Sequence, residues 1–348
     1  MGIFSKLKFL QGPDFSTFRS CFQPDIRKIF LVPANTFDNV VGAFPIAFQI
    51  YNLQTKSPFV SFEADVYDKA GDFLGTKKIV SPDGQKYISK WITSFKDDSR
   101  PIIGWNEGAT RNDFQSCRQF CILSSKSQNN SQPRGVWITD YNLMPVAVSY
   151  ASRKIIEPTW LNDRDQFLAP ADSWAGDMTF QADCLVWSIF NNYVREENGI
   201  CHWIPFYEDE VNSPAPFNSR FMADFLHGKI KRKAIGVTGD LFEQQAAEEA
   251  AKTKPIDALS DEARAVLEAG KEIWMYYMTK PGIRVNASFL DIRAYFQGFK
   301  TTEKGKTMMN STSTDSHYMD LLADLRGKMK ALEAHIEPKI YEHGFLLK

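Results

Sequence analysis

The hydrophobic pattern changes period along the chain, with strand-like runs before Ser81 and three- and four-residue steps after Asp240. The opening predicts a strand from Ser5 to Leu10, a turn at Gly12-Pro13 and a helix capped by Asp14. A second strand follows from Lys28 to Val32 and stops at Pro33. The polar loop Ala34-Asn35-Thr36-Phe37-Asp38-Asn39 then leads into an apolar run, Phe44 to Tyr51, whose length and β-branched content predict a buried strand. Strand, loop and strand make a hairpin. A second hairpin is expected over Phe59 to Val80, from the alternation Phe62, Ala64, Val66 and the turn Lys69-Ala70-Gly71-Asp72. Trp91-Ile92 falls on a short helix.

Further on, Ile102 to Leu123 is strand-rich around Asn112-Asp113-Phe114-Gln115, and the Ser/Asn/Gln tract Ser124 to Pro133 reads as an exposed loop. Asp140 is placed to cap a helix that ends before Pro158, and Phe180 to Tyr193 predicts another. Asn212 to Phe217, with two prolines, is a connection, and Phe221 to Leu226 leads into the basic run Lys229-Ile230-Lys231-Arg232-Lys233. Beyond Asp240 an Ala/Glu/Gln/Lys stretch precedes a helix capped by Ser260. A last helix carries the stripe Tyr318, Leu321, Leu322, Leu325, Met329, Leu332, Ile336. This divides the chain into 1–95, 96–228 and a mainly helical 229–348.

With 43% hydrophobic and 24% charged residues, an ordinary globular core is affordable. Aromatics reach 14%, more than stacking sites need, so most belong in the core. The net charge of -1 means that any nucleic-acid surface is a local patch. The five cysteines are scattered without zinc spacing, and the pairs Cys117/Cys121 and Cys201/His202 read as packing, so no metal is expected. Reduced thiols and the lack of any apolar window of about 20 residues point to a cytoplasmic protein with no membrane partner.

Methyl transfer from S-adenosylmethionine to an adenine amine needs a Gly-rich turn beside a strand end and an Asn/Asp-Pro-Pro-aromatic tetrapeptide. The chain has no Pro-Pro dipeptide and no G-x-G turn between a strand and a helix. Yet Leu31 to Val40, followed by Phe44 to Tyr51, resembles the adenine-N6 DNA methyltransferases with a C-terminal recognition region. The resemblance continues through Asn112 to Gln115, Trp160 to Phe167 with Pro170 and Trp174, Phe180 to Leu185, Asn286-Ala287-Ser288 with Asp291-Ile292-Arg293, and Lys339-Ile340-Tyr341 with Gly344-Phe345-Leu346. It implies an α/β fold: the terminal strands and hairpin of a Rossmann-like methyltransferase sheet, then an α+β region and a mainly helical C-terminal region.

In that family an aromatic residue in the hairpin loop stacks on the adenine flipped out of the duplex, and Phe37 occupies the matching position. The resemblance therefore implies double-stranded DNA as partner, and S-adenosylmethionine as cofactor of the complete enzyme but not of this chain alone. An N-terminal methyltransferase half would come as a separate subunit, lie before a start placed too late, or have been lost. The setting implied is a restriction-modification system or mobile element. The alternative is a non-catalytic DNA-binding or assembly subunit.

Around Phe37, the side chains of Asn35, Asp38 and Asn39 are expected to satisfy the turn's own backbone first and DNA second. Lys231, Arg232 and Lys233 are candidate phosphate contacts. Asn112, Asp113 and Gln115, with Asn162, Asp163, Arg164 and Asp165, are expected to give structural or active-site support through ion pairs and hydrogen bonds.

Overall fold

Five N-terminal strands form one mixed sheet: β1 (Gly2–Ser5), β2 (Pro24–Pro33), β3 (Pro45–Lys56), β4 (Ser61–Tyr67) and β5 (Phe73–Val80). The computed structural model describes residues 1–40, 44–81, 86–97, 99–112, 120–121, 134–162, 166–234 and 241–347. The strand order is β1-β3-β2-β4-β5, with β2 and β4 parallel and the other pairs antiparallel. Helices α1 (Lys8–Gln11) and α2 (Ser16–Cys21) lie between β1 and β2.

Ser5 to Leu10 is not a strand, because Leu7 and Leu10, three residues apart, turn into the sheet's core and wind the backbone into α1. Asp14 caps no helix: Pro13–Phe15 is a 3-10 turn, and α2 starts after Phe15 with no side-chain cap. β3 is not buried on both faces. Its odd positions Ala47, Gln49 and Tyr51 are buried while Phe48 and Ile50 are exposed, which is the period of a half-covered strand. The second hairpin is as expected, its turn held by Asp68, which accepts from the amides of Ala70 and Asp72 at 2.8 and 2.9 Å.

One face of the sheet packs its own cluster, with Leu7, Leu10, Ile29, Leu31, Val66 and Ile79 at the centre. A second core runs from Ile88 to Leu346 and holds the helical body together. That body begins with α3 (Ile88–Thr93) and a small sheet ordered β7-β6-β8, made of β6 (Gly104–Asn106), β7 (Phe120–Cys121) and β8 (Val136–Ile138). It continues with α4 (Leu143–Ile155), α5 (Met178–Phe190), α6 (Phe221–Leu226), α7 (Leu241–Lys252), α8 (Asp261–Met278) and α9 (Phe289–Gln297). The hairpin β9 (Phe299–Thr301) and β10 (Thr307–Met309) leads to α10 (Ser316–Glu342).

Helix α5 is apolar on nearly every side and is accordingly the central element, packed by α4, α8 and α10. Ser260 caps α8 as expected, its side chain accepting the Ala263 amide at 3.1 Å. Asp140 does not cap α4. Asn142 takes the N-cap position, while Asp140 pairs with Arg100 at 2.6 Å. The expected stripe on α10 is buried at Tyr318, Leu322, Leu325, Leu332 and Ile336, against α8, α5 and α4.

Candidate nucleic-acid interface

The loop between β2 and β3 is closed by the Ala34 amide donating to the Phe44 carbonyl at 2.9 Å, and a 3-10 turn over Ala34–Thr36 lifts Phe37 to the rim. Phe37 is half-buried, and its only ring neighbour among the described residues is Phe4 of β1, edge-on at 5.3 Å and 88°. Asn35, Asp38 and Asn39 are exposed, and Asn39 has φ of 62°. Their side chains accept no hydrogen bond from the turn's backbone among the described residues, contrary to expectation.

Phe37 is the end of something larger. Phe4 contacts Phe48 of β3 at 5.8 Å, Phe48 stacks on Phe30 of β2 at 6.5 Å, Phe30 meets Tyr67 of β4 at 6.3 Å, and Tyr67 meets Phe73 of β5 at 5.5 Å. One aromatic ring from every strand thus forms a continuous row across the face opposite the core. The row is open to solvent: Phe4, Phe48 and Phe73 are 54%, 39% and 58% exposed. Exposed rings cost hydration free energy and do nothing for the fold's interior, which makes a contiguous row of them a candidate contact surface.

Charge is arranged sparingly around it. Lys28 lies within the row, paired to Asp65 at 2.7 Å and 5.8 Å above the Phe30 ring. Lys6, two residues after Phe4, holds its ammonium 3.7 Å from the centre of the Phe44 ring at the base of the Phe37 loop, with no carboxylate partner among the described residues. Rings flanked by an unneutralised cation suit a base and its phosphate.

Comparison with known protein families, with curated proteins and with solved structures found no match. Among the described residues, no group of three or more His, Cys, Asp or Glu side chains is placed to hold a metal ion, and no helix is long and apolar enough to cross a membrane.

Of the other residues singled out by sequence, Asn112, Asn162, Lys231, Arg232 and Lys233 lie apart from this face. Arg232 is turned inward, which corrects its reading as a phosphate contact. Its guanidinium donates to the carbonyls of Ala250, at 2.7 Å, and Thr253, closing the C-terminal end of α7, and burial lowers its pKa to about 10. Lys231 and Lys233 on either side of it are exposed, and Lys229 is tied to Asp224 at 3.4 Å and to the Tyr207 ring at 4.3 Å. Asn112 supports the body structurally, accepting the Ser89 amide at the start of α3 and, through its carbonyl, the Phe167 amide. Asn162 braces its own loop by bonds to Thr159 and Glu157, and its carbonyl receives Lys77 of β5 at 3.2 Å. Asp113, Gln115, Asp163, Arg164 and Asp165 lie outside the described residues.

Two polar constellations in the helical body are structural clasps. Ser173, His343 and Asp177 form a chain, with His343 Nδ1 3.2 Å from Ser173 and Nε2 3.2 Å from Asp177. Every member is already engaged: Asp177 caps α5 through the Phe180 amide and pairs Lys339 at 3.4 Å, and His343 packs on the Phe180 ring at 4.8 Å. Burial alone would raise the Asp177 pKa, but His343, the Phe180 amide and Lys339 outweigh it and hold the carboxyl at about 2.

Asp183, on α5, behaves oppositely. Its side chain is 1% exposed, and burial raises its pKa to about 6 against the Ser260 amide and His335, 3.7 Å away. A carboxyl whose pKa rises from 3.8 on folding gives stability below 3.8 that is lost as pH climbs through about 6. Asp183→Asn keeps an acceptor for the Ser260 amide but cannot ionise. We expect it to exceed the natural protein's stability by about 2–3 kcal/mol near pH 8 and to match it below about pH 4, read by urea unfolding. A difference that does not change with pH contradicts this reading.

Proposed function

We propose that the aromatic face ending at Phe37 is a nucleic-acid contact surface, and that the chain is the DNA-facing C-terminal part of an adenine-N6 methyltransferase. The observation that carries the reading is that Phe37, at the position the resemblance gives to the base-stacking residue, stands at the open end of a five-strand ring row with Lys6 beside it. An extruded adenine has a π-face to offer Phe37, and stacking of this kind contributes about 1–3 kcal/mol, comparable with the cost of pulling a base out of a mismatched pair. Asn35, Asp38 and Asn39 offer free donors and acceptors to the base edge or backbone.

The division of labour follows from side-chain chemistry. Phe37 holds the base by dispersion and polarises nothing. Deprotonation of the amine and the methyl group must therefore come from the Pro-Pro-Tyr and Gly-rich parts of the resembling enzymes, which these 348 residues do not include. S-adenosylmethionine would bind there and supply the methyl group. The residues of this chain extrude, hold and orient the base.

The test uses the full chain and a duplex with 2-aminopurine in a mismatch, which lowers the cost of extrusion. Binding is expected to raise 2-aminopurine fluorescence, and Phe37→Ala to remove most of that rise while the melting temperature stays within about two degrees, because the ring is half-exposed. An undiminished rise with Phe37→Ala contradicts the assignment.

A second reading, an assembly face for a protein partner, is favoured at one spot. Ile50, 36% exposed beside Phe48 on the open face of β3, gives a partner apolar surface but gives a base no ring to stack on. It makes the opposite forecast: nucleic acid leaves the fluorescence of the probe unchanged.

A further inference from the structure

The helical body carries a second feature that the aromatic face does not explain. A cleft of about 270 Å³ opens between the C-terminal end of α5, α9 and α10. Its floor is apolar, made by Phe190, Phe289, Leu325 and Met329, and three cations stand over it: Arg293 from α9, and Arg326 and Lys330 one turn apart on α10. On the same helix Lys328 is neutralised by Asp324 at 2.7 Å. These three have no carboxylate within ion-pair distance among the described residues. The acid at the rim, Glu333, is held by the Trp187 indole N–H at 2.9 Å.

Arg293 makes the site more than a basic patch. Its Nε is shielded from water and has no acceptor, and the buried Tyr318 hydroxyl on α10 is likewise without a partner. Burial lifts the Tyr318 pKa to about 12, and the positive charges of Arg293 and Arg326 oppose that rise. A charged donor withdrawn from water is costly until an acceptor meets it, and like charges lining one cleft add to the cost. An anion with several oxygens relieves both at once, and guanidinium forks fit phosphate.

The floor selects for more than a bare anion. Two phenyl rings and two flexible aliphatic chains reward an apolar or planar body, and the volume, at the low end for ligand pockets, limits that body to one small ring system with its phosphate. We infer that this cleft binds a phosphate-bearing ring compound of mononucleotide size, either a free nucleotide or one nucleotide of a strand. The site shares no residue with the sheet, so it stands or falls independently of the Phe37 reading.

Calorimetry on the full chain tests it with adenosine monophosphate, adenosine, inorganic phosphate and a short oligothymidylate as probes. Adenosine monophosphate is expected to bind at least about tenfold more tightly than adenosine or phosphate alone, since each lacks half of the contacts. Arg326→Gln, at an exposed position that the fold does not need, is expected to weaken it by about tenfold or more with an unchanged melting temperature. Arg293→Gln should do the same, and Arg326→Gln decides the matter if Arg293→Gln fails to fold. If oligothymidylate displaces the nucleotide, the source is a strand; if it does not, the source is a free nucleotide, and either result supports the site. Phosphate binding as tightly as adenosine monophosphate overturns the inference, as does binding indifferent to Arg326→Gln, or no binding of either nucleotide probe.

Discussion

Replacing Arg153 with methionine is expected to lower the unfolding free energy by about 2–5 kcal/mol, the largest effect on stability that we expect of any change discussed. Arg153 is 1% exposed on α4, and its guanidinium donates to the carbonyls of Arg111 at 2.7 Å and Ala109 at 3.1 Å, with Ser149 Oγ at 3.4 Å. Methionine matches the stem in length but leaves those carbonyls in the interior with fewer donors, and each unmet group costs about 1–3 kcal/mol. The damage should spread along the chain, because the next residue, Asn112, receives the Ser89 and Phe167 amides and so joins α3 to the strip that enters the body. Arg153→Lys keeps the charge but not the planar fork, and should recover less than half of the loss. Urea unfolding measures both; a loss below about 1 kcal/mol for Arg153→Met contradicts the account.

The second large effect concerns binding. Simultaneous replacement of Phe4, Phe37 and Phe48 by alanine removes the open end of the ring row while leaving Ile29, Leu31, Ala47 and Tyr51 on the opposite face untouched. If two of the three rings carry bases at about 1–3 kcal/mol each, affinity for DNA with an unpaired base should fall between about thirtyfold and more than a thousandfold. Folding should survive, because none of the three side chains is in the core. Replacing Lys6 alone should act differently, flattening the salt dependence of binding by about one phosphate contact with little change in base preference. Retained affinity in a folded triple variant would remove the row from the binding surface.

The helical part of this architecture was legible because its signals are local. Ser260 followed by an amphipathic run, and the three- and four-residue steps from Tyr318 to Ile336, depend only on neighbours within a turn. The aromatic face was missed for a physical reason. In Phe44 to Tyr51 the outward positions Phe48 and Ile50 are as apolar as any core residue, while the inward positions include Gln49, so a half-covered strand looked buried throughout. The signal was present in the register: Phe30 sits between the buried Ile29 and Leu31, and Phe48 between the buried Ala47 and Gln49, so both rings had to point away from the core. What no strand pattern reveals is the strand order, and only the order β1-β3-β2-β4-β5 lines the rings up.

Charge was less legible than pattern. In the run Lys229 to Lys233 one side chain is committed to a helix end and another to a neighbouring carboxylate, and only the tertiary fold distinguishes these from Lys231 and Lys233. Conversely, Arg293, Arg326 and Lys330 are dispersed over two helices and form no run in the sequence, yet packing of α9 against α10 gathers them over one cleft. Phe37 itself was found by resemblance. Its structural surroundings add the exposure, the ring neighbour and the nearby cation that a stacking role needs.

The most direct measurement is photocrosslinking of the full chain to DNA carrying 5-iodouracil at an unpaired position, with the attached residue mapped by mass spectrometry. A 5-iodouracil lying against an aromatic ring couples to it efficiently on irradiation. The account predicts attachment at Phe37, Phe4 or Phe48, lost in the triple alanine variant. Attachment confined to the helical body, or a yield unchanged by the triple variant, would contradict it.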